Sequence, residues 1–447
     1  MEIEREWGKT RNRIGITQQC KLPGELSFQK AKRKDQNSLY AAAIYGPSLR
    51  ALGFVKSYES RAKQGAKGLN ITVHDDEHSS LELVRGVESS IAKTKAYNLL
   101  GSLDSETFSR RDICRLAEAG LDPAKFRGSE FEPLKAIFRK RLLPDDADDP
   151  GYARTLTARL ALSTLRQRKR LSSNEIRTTW YTGLFDDGNC LRIPDPELAA
   201  HRQKWACFLA RQYQRYAIEL LLWCFEDALR QGCNSIDLIV DHWIKRSDLN
   251  GRGRAKSFGA ILQETAGDLF GKNDHLTSSA WNELVTAADT RFEWIDDPKD
   301  DNAVSSCLRM LAAWYWRTLS WRDQAVAKPL FNLGGADRMS MTWFQKWLKQ
   351  REGQPINVFL RDIFSGLIFG QHMRIALARF DGNAQRIRFM IGDNGVEPTL
   401  SAKNDLAKLA LPWMPDRLDT LFGLLCDCDV LSETDGCLRP GKASLEI

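Results

Sequence analysis

The stretch from Pro196 to Gly232 constrains this chain more than any other, because it reads as one unbroken helix. Pro194 and Pro196 stand before it and Gly232 after it, the punctuation that opens and closes a helix. In its first half Trp205, Phe208, Leu209, Tyr213 and Tyr216 recur at helical spacing, while Arg202, Gln203, Arg211 and Arg215 face elsewhere. Its second half, Leu220 to Phe225, is apolar all round, which predicts a helix surrounded by other helices. A spine of this kind implies a helical body. It does not name a reaction.

At 447 residues the chain exceeds what one compact core holds and suggests two or three domains. A hydrophobic content of 43%, with 13 Trp and 20 Phe, excludes global disorder. No apolar run approaches the roughly 20 residues that span a bilayer, and EIEREWGKTRNR after Met1 lacks the apolar core of a secretory signal. The ten cysteines contain no C-x-x-C pair, and Cys426, Cys428 and Cys437 lack zinc-ligand spacing. Reduced thiols in a cytoplasmic protein are expected, with no membrane partner and no cofactor.

The net charge of +7 is unevenly distributed. Residues 1 to 70 hold 14 Lys and Arg against 6 Asp and Glu, and the remainder is nearly balanced at 51 against 52. The basic excess therefore lies in the first sixth of the chain and suggests a polyanionic partner there, or else a solvated basic arm.

Within that region Leu39, Tyr40, Ala43, Ile44, Leu49 and Leu52 form a helical stripe interrupted at Gly46-Pro47. A short strand at Phe54-Val55 comes next, then a basic loop, then Leu69, Ile71 and Val73 alternating as a second strand. Asp75 and Asp76 can cap the next helix, which carries Leu81, Val84, Val87 and Ile91. This order is that of a winged-helix unit with residues 56 to 68 as its wing.

The aspartate-rich Pro144 to Pro150 reads as a linker, with a helix after it over Tyr152 to Arg170. Ile236 to Trp243 is a short apolar run, and Leu308, Leu311, Trp314, Tyr315 and Leu319 predict another buried face. Ile356 to Phe380 predicts a long amphipathic helix, and Ile387, Phe389 and Ile391 a strand with one face buried before the turn Gly392-Asp-Asn-Gly395. A last helix over Leu418, Leu421 and Leu425 leads through Val430-Leu431 to a turn at Asp435-Gly436. The expected fold is mainly α, a helical core with winged-helix-like units carrying small β-hairpins near both ends. The expected division is a basic arm over 1–37, a winged-helix-like domain with helical extension over 38–143, a helical core over 151–350, and a C-terminal helix with a winged-helix-like unit over 351–447.

Motifs for chemistry are weak. Gly8-Lys9-Thr10 lacks a phosphate-loop glycine, since Ile3 stands there, and Gly251 and Gly253 lack their third glycine at Lys256. His74, Glu77 and His78 fit H-x-x-E-H, the inverted zinc-protease pattern, but His74 follows a predicted strand, so the two imidazoles are not expected on one helical face. Asp297-Pro-Lys299 resembles part of a nuclease signature that Pro298 would break. His372 reads as a hydrogen-bonded, partly buried histidine, and Cys207 and Cys224 as core residues.

The binding pattern is fuller. Lys32, Arg33 and Lys34 precede the first patterned helix, Arg50 and Lys56 flank its end, and Arg61, Lys63 and Lys67 occupy the wing. These residues can neutralise phosphates while a helix enters a groove. No row of Asn, Gln and Arg on one helix face predicts sequence-specific readout.

Three stretches taken together, YGPSLRALGFV with its wing, WACFLARQYQRYAIELLLWCF, and QHMRIALARFDGNAQRIRFMIGDNG with LFGLLCDCDVL, resemble a poorly characterised group of bacterial proteins encoded in mobile or anti-phage defence loci. The resemblance implies a cellular context beside an ATPase or nuclease, and carries no catalytic residue across. The expected function is a non-enzymatic component that binds DNA or docks a protein partner within such a system. The alternatives are a metal-dependent hydrolase using His74, Glu77 and His78, and a helical interaction scaffold.

Overall fold

The computed structural model describes residues 131–247, 249, 257–270, 276–289, 303–321, 324–335, 338–378, 387–399 and 416–446, together with four short strands nearer the N-terminus. Helices dominate, and every sheet among the described residues is a two-stranded pair. The fold is therefore mainly α with small hairpins, as the periodicities predict.

The four early strands are β1 (Leu26–Ser27), β2 (Val55–Tyr58), β3 (Asn70–Val73) and β4 (Thr107–Phe108), with β1 antiparallel to β4 and β2 antiparallel to β3. The helices predicted around them lie outside the described residues. Two helices come next, α1 (Phe131–Leu142) and α2 (Tyr152–Gln167), joined by the aspartate-rich loop. Asp146 and Asp149 close that loop by accepting the backbone N–H groups of Asp148 and Gly151.

The chain divides into two compact units, the first made of 1–159, 421–432 and 441–447 and the second of 160–420 and 433–440. In the first, Lys135 pairs with Asp429 at 2.6 Å, and Thr155 and Arg154 donate to the carbonyls of Pro144 and Leu142. Asp429 adopts a left-handed backbone, and its carbonyl accepts from Ala443.

The second unit is built around the predicted spine. Its helices are α3 (Ser173–Thr182), α4 (Pro196–Arg230), α5 (Ile236–Arg246), α6 (Phe258–Phe270), α7 (Ser278–Asp289), α8 (Ala303–Leu319), α9 (Lys328–Phe331), α10 (Met341–Arg351) and α11 (Ile356–Asp362). Asp195 caps α4 by accepting from the N–H groups of Glu197 and Leu198, and Pro196 occupies its first turn. Gly232 leaves the helix at φ +89°. At 1.5 Å per residue, α4 is roughly 50 Å long. It packs against α3, α5, α8 and α9, so its apolar second half is enclosed as predicted. Indoles tie the neighbours to it: Trp314 of α8 donates to the Ala210 carbonyl at 2.9 Å, and Trp243 of α5 to that of Cys224 at 3.0 Å.

Several faces depart from their simple period. Phe208 and Leu319 are 38% and 37% exposed, because each lies at the margin of its helix's buried stripe rather than within it. The apolar run at Ile236 is part of an α-helix, with Ser235 as its cap. The long C-terminal helix is three pieces: α11, a π-helical stretch at Ile363–Gly370, and α12 (Gln371–Ala378). Bonding from i to i+5 packs more residues into each turn and rotates the faces of α12 relative to those of α11. Ile363, Phe364, Leu367 and Ile368 stay buried, while Ile375 turns out to 38% exposure.

Both predicted C-terminal turns form. β5 (Phe389–Gly392) pairs in register with β6 (Gly395–Pro398), and β7 (Leu431–Thr434) with β8 (Cys437–Pro440). Asp435 and Gly436, both at positive φ, make the two-residue turn of the second hairpin. Of the predicted alternating strand, Phe389 is buried against Phe225 and His372, whereas Ile391 is 74% exposed because it sits at the hairpin tip.

Candidate polyanion-binding site

Val55, Lys56, Ser57 and Tyr58 stand opposite Val73, Thr72, Ile71 and Asn70 in continuous antiparallel register. Val55, Ile71, Thr72 and Val73 are β-branched and favour this extended backbone. The sequence joining the strands, residues 59–69, carries Arg61, Lys63 and Lys67 with Gly65 and Gly68, and Glu59 as its single acid. Such a connection is longer than the two to five residues usual for a hairpin. The strand pair thus brackets the segment that carries the wing's basic residues, and Lys56 stands on β2 itself. Arg61, Lys63, Lys67, Lys32, Arg33, Lys34 and Arg50 lie outside the described residues. So do His74, Glu77 and His78, although β3 ends at Val73, as the alternation of Leu69, Ile71 and Val73 predicts.

The helical body holds charge that no local pattern in the sequence marks. Arg177 is buried, 4% exposed, and its guanidinium makes a two-point contact with Asp416 at 2.9 and 2.7 Å and a third with Asp419 at 2.8 Å. Burial pulls its pKa down, but the two carboxylates outweigh that and hold it raised. Arg388 forks onto buried Glu226, with Nη2 at 2.8 Å from Oε2, and its backbone N–H donates to His372 Nε2 at 3.2 Å. His372 is thus an acceptor, hydrogen-bonded and partly buried as its place in the sequence predicts, and burial lowers its pKa. In each cluster a buried charge meets an oppositely charged partner, which suits clamps rather than catalysts.

A different arrangement surrounds the C-terminal end of α3. Arg202 donates to the Trp180 carbonyl at 3.1 Å, and Arg317 to the carbonyls of Tyr181 and Thr182. Arg317 also lies over the Trp321 ring at 4.8 Å. Burial lowers both guanidinium pKa values, that of Arg317 to about 10. Arg211 does the same work elsewhere, donating to the carbonyls of Arg338 and Met339.

Cys207 and Cys224 are core residues, as expected, and burial pushes the Cys207 thiol up to about 11. It is a poor nucleophile near neutrality. The described cysteines form no disulfide, and among the described residues no three His, Cys, Asp or Glu gather closely enough to hold a metal ion. No helix among them is long and apolar enough to cross a membrane. Comparison with protein-family models, curated proteins and solved structures finds no match to this chain.

Proposed function

We propose that the protein is a non-enzymatic DNA-binding component whose basic hairpin grips the phosphate backbone. The observation that supports this reading is the in-register pairing of β2 with β3 around the segment carrying Arg61, Lys63 and Lys67. An ordered strand pair at the root of a basic loop limits the entropy lost when that loop meets a polyanion. Lys32, Arg33, Lys34, Arg50 and Lys56 add charge from the flanking sequence. Binding of this kind is sequence-tolerant, because it addresses phosphates and not base edges. The resemblance to proteins of anti-phage defence loci supports a place in such a bacterial system, with an ATPase or nuclease of the same locus as protein partner.

Fluorescence anisotropy with duplex DNA across a salt series tests the reading. A triple charge reversal, R61E/K63E/K67E, should weaken binding and flatten the dependence of log K on log salt by about 0.9 for each phosphate no longer neutralised. Unchanged affinity and slope in the variant would overturn it.

A partner-docking role is the second reading, favoured by the apolar tip of the β5–β6 hairpin, where Ile391 is 74% and Met390 44% exposed. Ile391→Asp should then abolish co-purification with the locus ATPase or nuclease while leaving DNA affinity intact. Retained co-purification would remove this reading.

A further inference from the structure

Arg202 on α4 and Arg317 on α8 converge on the turn that ends α3. Their nitrogens Nη1 and Nη2 lie 3.4 and 3.7 Å from the point where a Cβ on Gly183 would stand. Gly183 has φ +80°, so the turn keeps no side chain between the two guanidiniums. Each arginine keeps part of its surface exposed.

The pair has no carboxylate among the described residues. Its acceptors are the carbonyls of Trp180, Tyr181 and Thr182. Those bonds use Nη1 of Arg202, and Nε and Nη2 of Arg317. Among the described residues they leave Nε and Nη2 of Arg202 and Nη1 of Arg317 as donors without an acceptor. Elsewhere in this unit Arg177 meets Asp416 and Asp419 and Arg388 meets Glu226, whereas Arg211, like this pair, donates to carbonyls but stands alone among the described residues. Two like charges held together over a partly dehydrated turn repel one another, and the three carbonyls offset only part of that. Uncommitted N–H groups on two adjacent forks match the several acceptor oxygens of a phosphate.

We propose that Arg202 and Arg317, at the Gly183 turn, form an oxyanion site that takes a phosphate group. The site is independent of the β2–β3 hairpin, and either can fail without the other. The phosphate can belong to a small molecule or to a nucleic-acid backbone, since the chemistry recognised is the same.

The test is thermal unfolding of the full chain with inorganic phosphate, or with a short single-stranded deoxyoligonucleotide, each against chloride at matched ionic strength. A saturable rise in the unfolding midpoint is expected in at least one arm, and which arm responds identifies the source. Arg202→Gln should weaken the apparent affinity at least about tenfold, the cost of one charge-assisted bond. Lys204→Gln, on the exposed face of the same turn of α4, should leave it unchanged. Dicarbonyl labelling of the wild-type chain, mapped by mass spectrometry, covers the case in which the Arg202 variant does not fold. The ligand that raises the midpoint should protect Arg202 and Arg317 but not Arg170, which is 47% exposed and distant in sequence. No rise above chloride in either arm, an undiminished rise in Arg202→Gln, or no protection would each overturn the proposal.

Discussion

Arg177 shows what a single side chain contributes here. With Arg177 and Asp416 exposed by only 4% and 2%, each is tolerable only because the other is present. Asp416→Ala should therefore destabilise the protein by about 3–5 kcal/mol, the cost of leaving a buried charge unpaired. Asp419→Ala should cost under about 1 kcal/mol, because that carboxylate is 65% exposed. Urea unfolding separates the two, and equal losses would contradict the assignment of Asp416 as the principal partner. His201 contributes to the acid response. Burial lowers the His201 pKa to about 4 from 6.5, so the folded state holds fewer protons than the unfolded chain between those values. The associated stability is complete above pH 6.5 and is lost as pH falls towards 4. His201→Gln should flatten that part of the stability profile relative to wild type. An unchanged fall would show that other groups carry it.

Among the elements, the two C-terminal hairpins differ in how tightly their turns are held. Gly395 has φ +109°, and a Cβ there would meet the Asn234 carbonyl at 2.2 Å. Gly436 has φ +69° and open space around it. Gly436→Ala should cost roughly 1 kcal/mol for the left-handed backbone alone. Gly395→Ala should cost more than about 2 kcal/mol, since strain and collision act together. Equal denaturation midpoints for the two would refute the close approach at Asn234. On the spine, Trp314→Ala should cost about 3–5 kcal/mol through cavity formation and removal of the bond to Ala210. Phe208→Ala, at 38% exposure, should cost well under half of that. These elements are legible in the sequence for a plain reason. Pro196, Gly232, Asp435-Gly436 and Gly392-Asp-Asn-Gly395 are local signals, set by backbone atoms a few residues away. The π-helical stretch is not legible, because Ile363 to Gly370 is compatible with ordinary helical spacing and only packing selects i to i+5 bonding.

For the molecule as a whole, charge separates the proposed binding region from the body. The excess over residues 1–70 is a property of composition, and β2–β3 gives it a structured root. If binding and folding are separate, R61E/K63E/K67E should change the unfolding free energy by no more than about 0.5 kcal/mol while weakening DNA binding. A large loss of stability would mean that these residues hold the fold instead.

The chain's own order of residues determined the helical class, the spine, the hairpin turns and the basic excess, because each depends on neighbours within one or two turns. Tertiary structure alone decided which charges are paired across long stretches of sequence. Arg177 finds Asp416, 239 positions away, and Arg388 finds Glu226, 162 away. Arg202 and Arg317 meet only because α4 and α8 both pass the end of α3. A charged side chain with a distant partner carries no local trace of it, since what stabilises it is an opposite charge or dipole brought close in space and shielded from water.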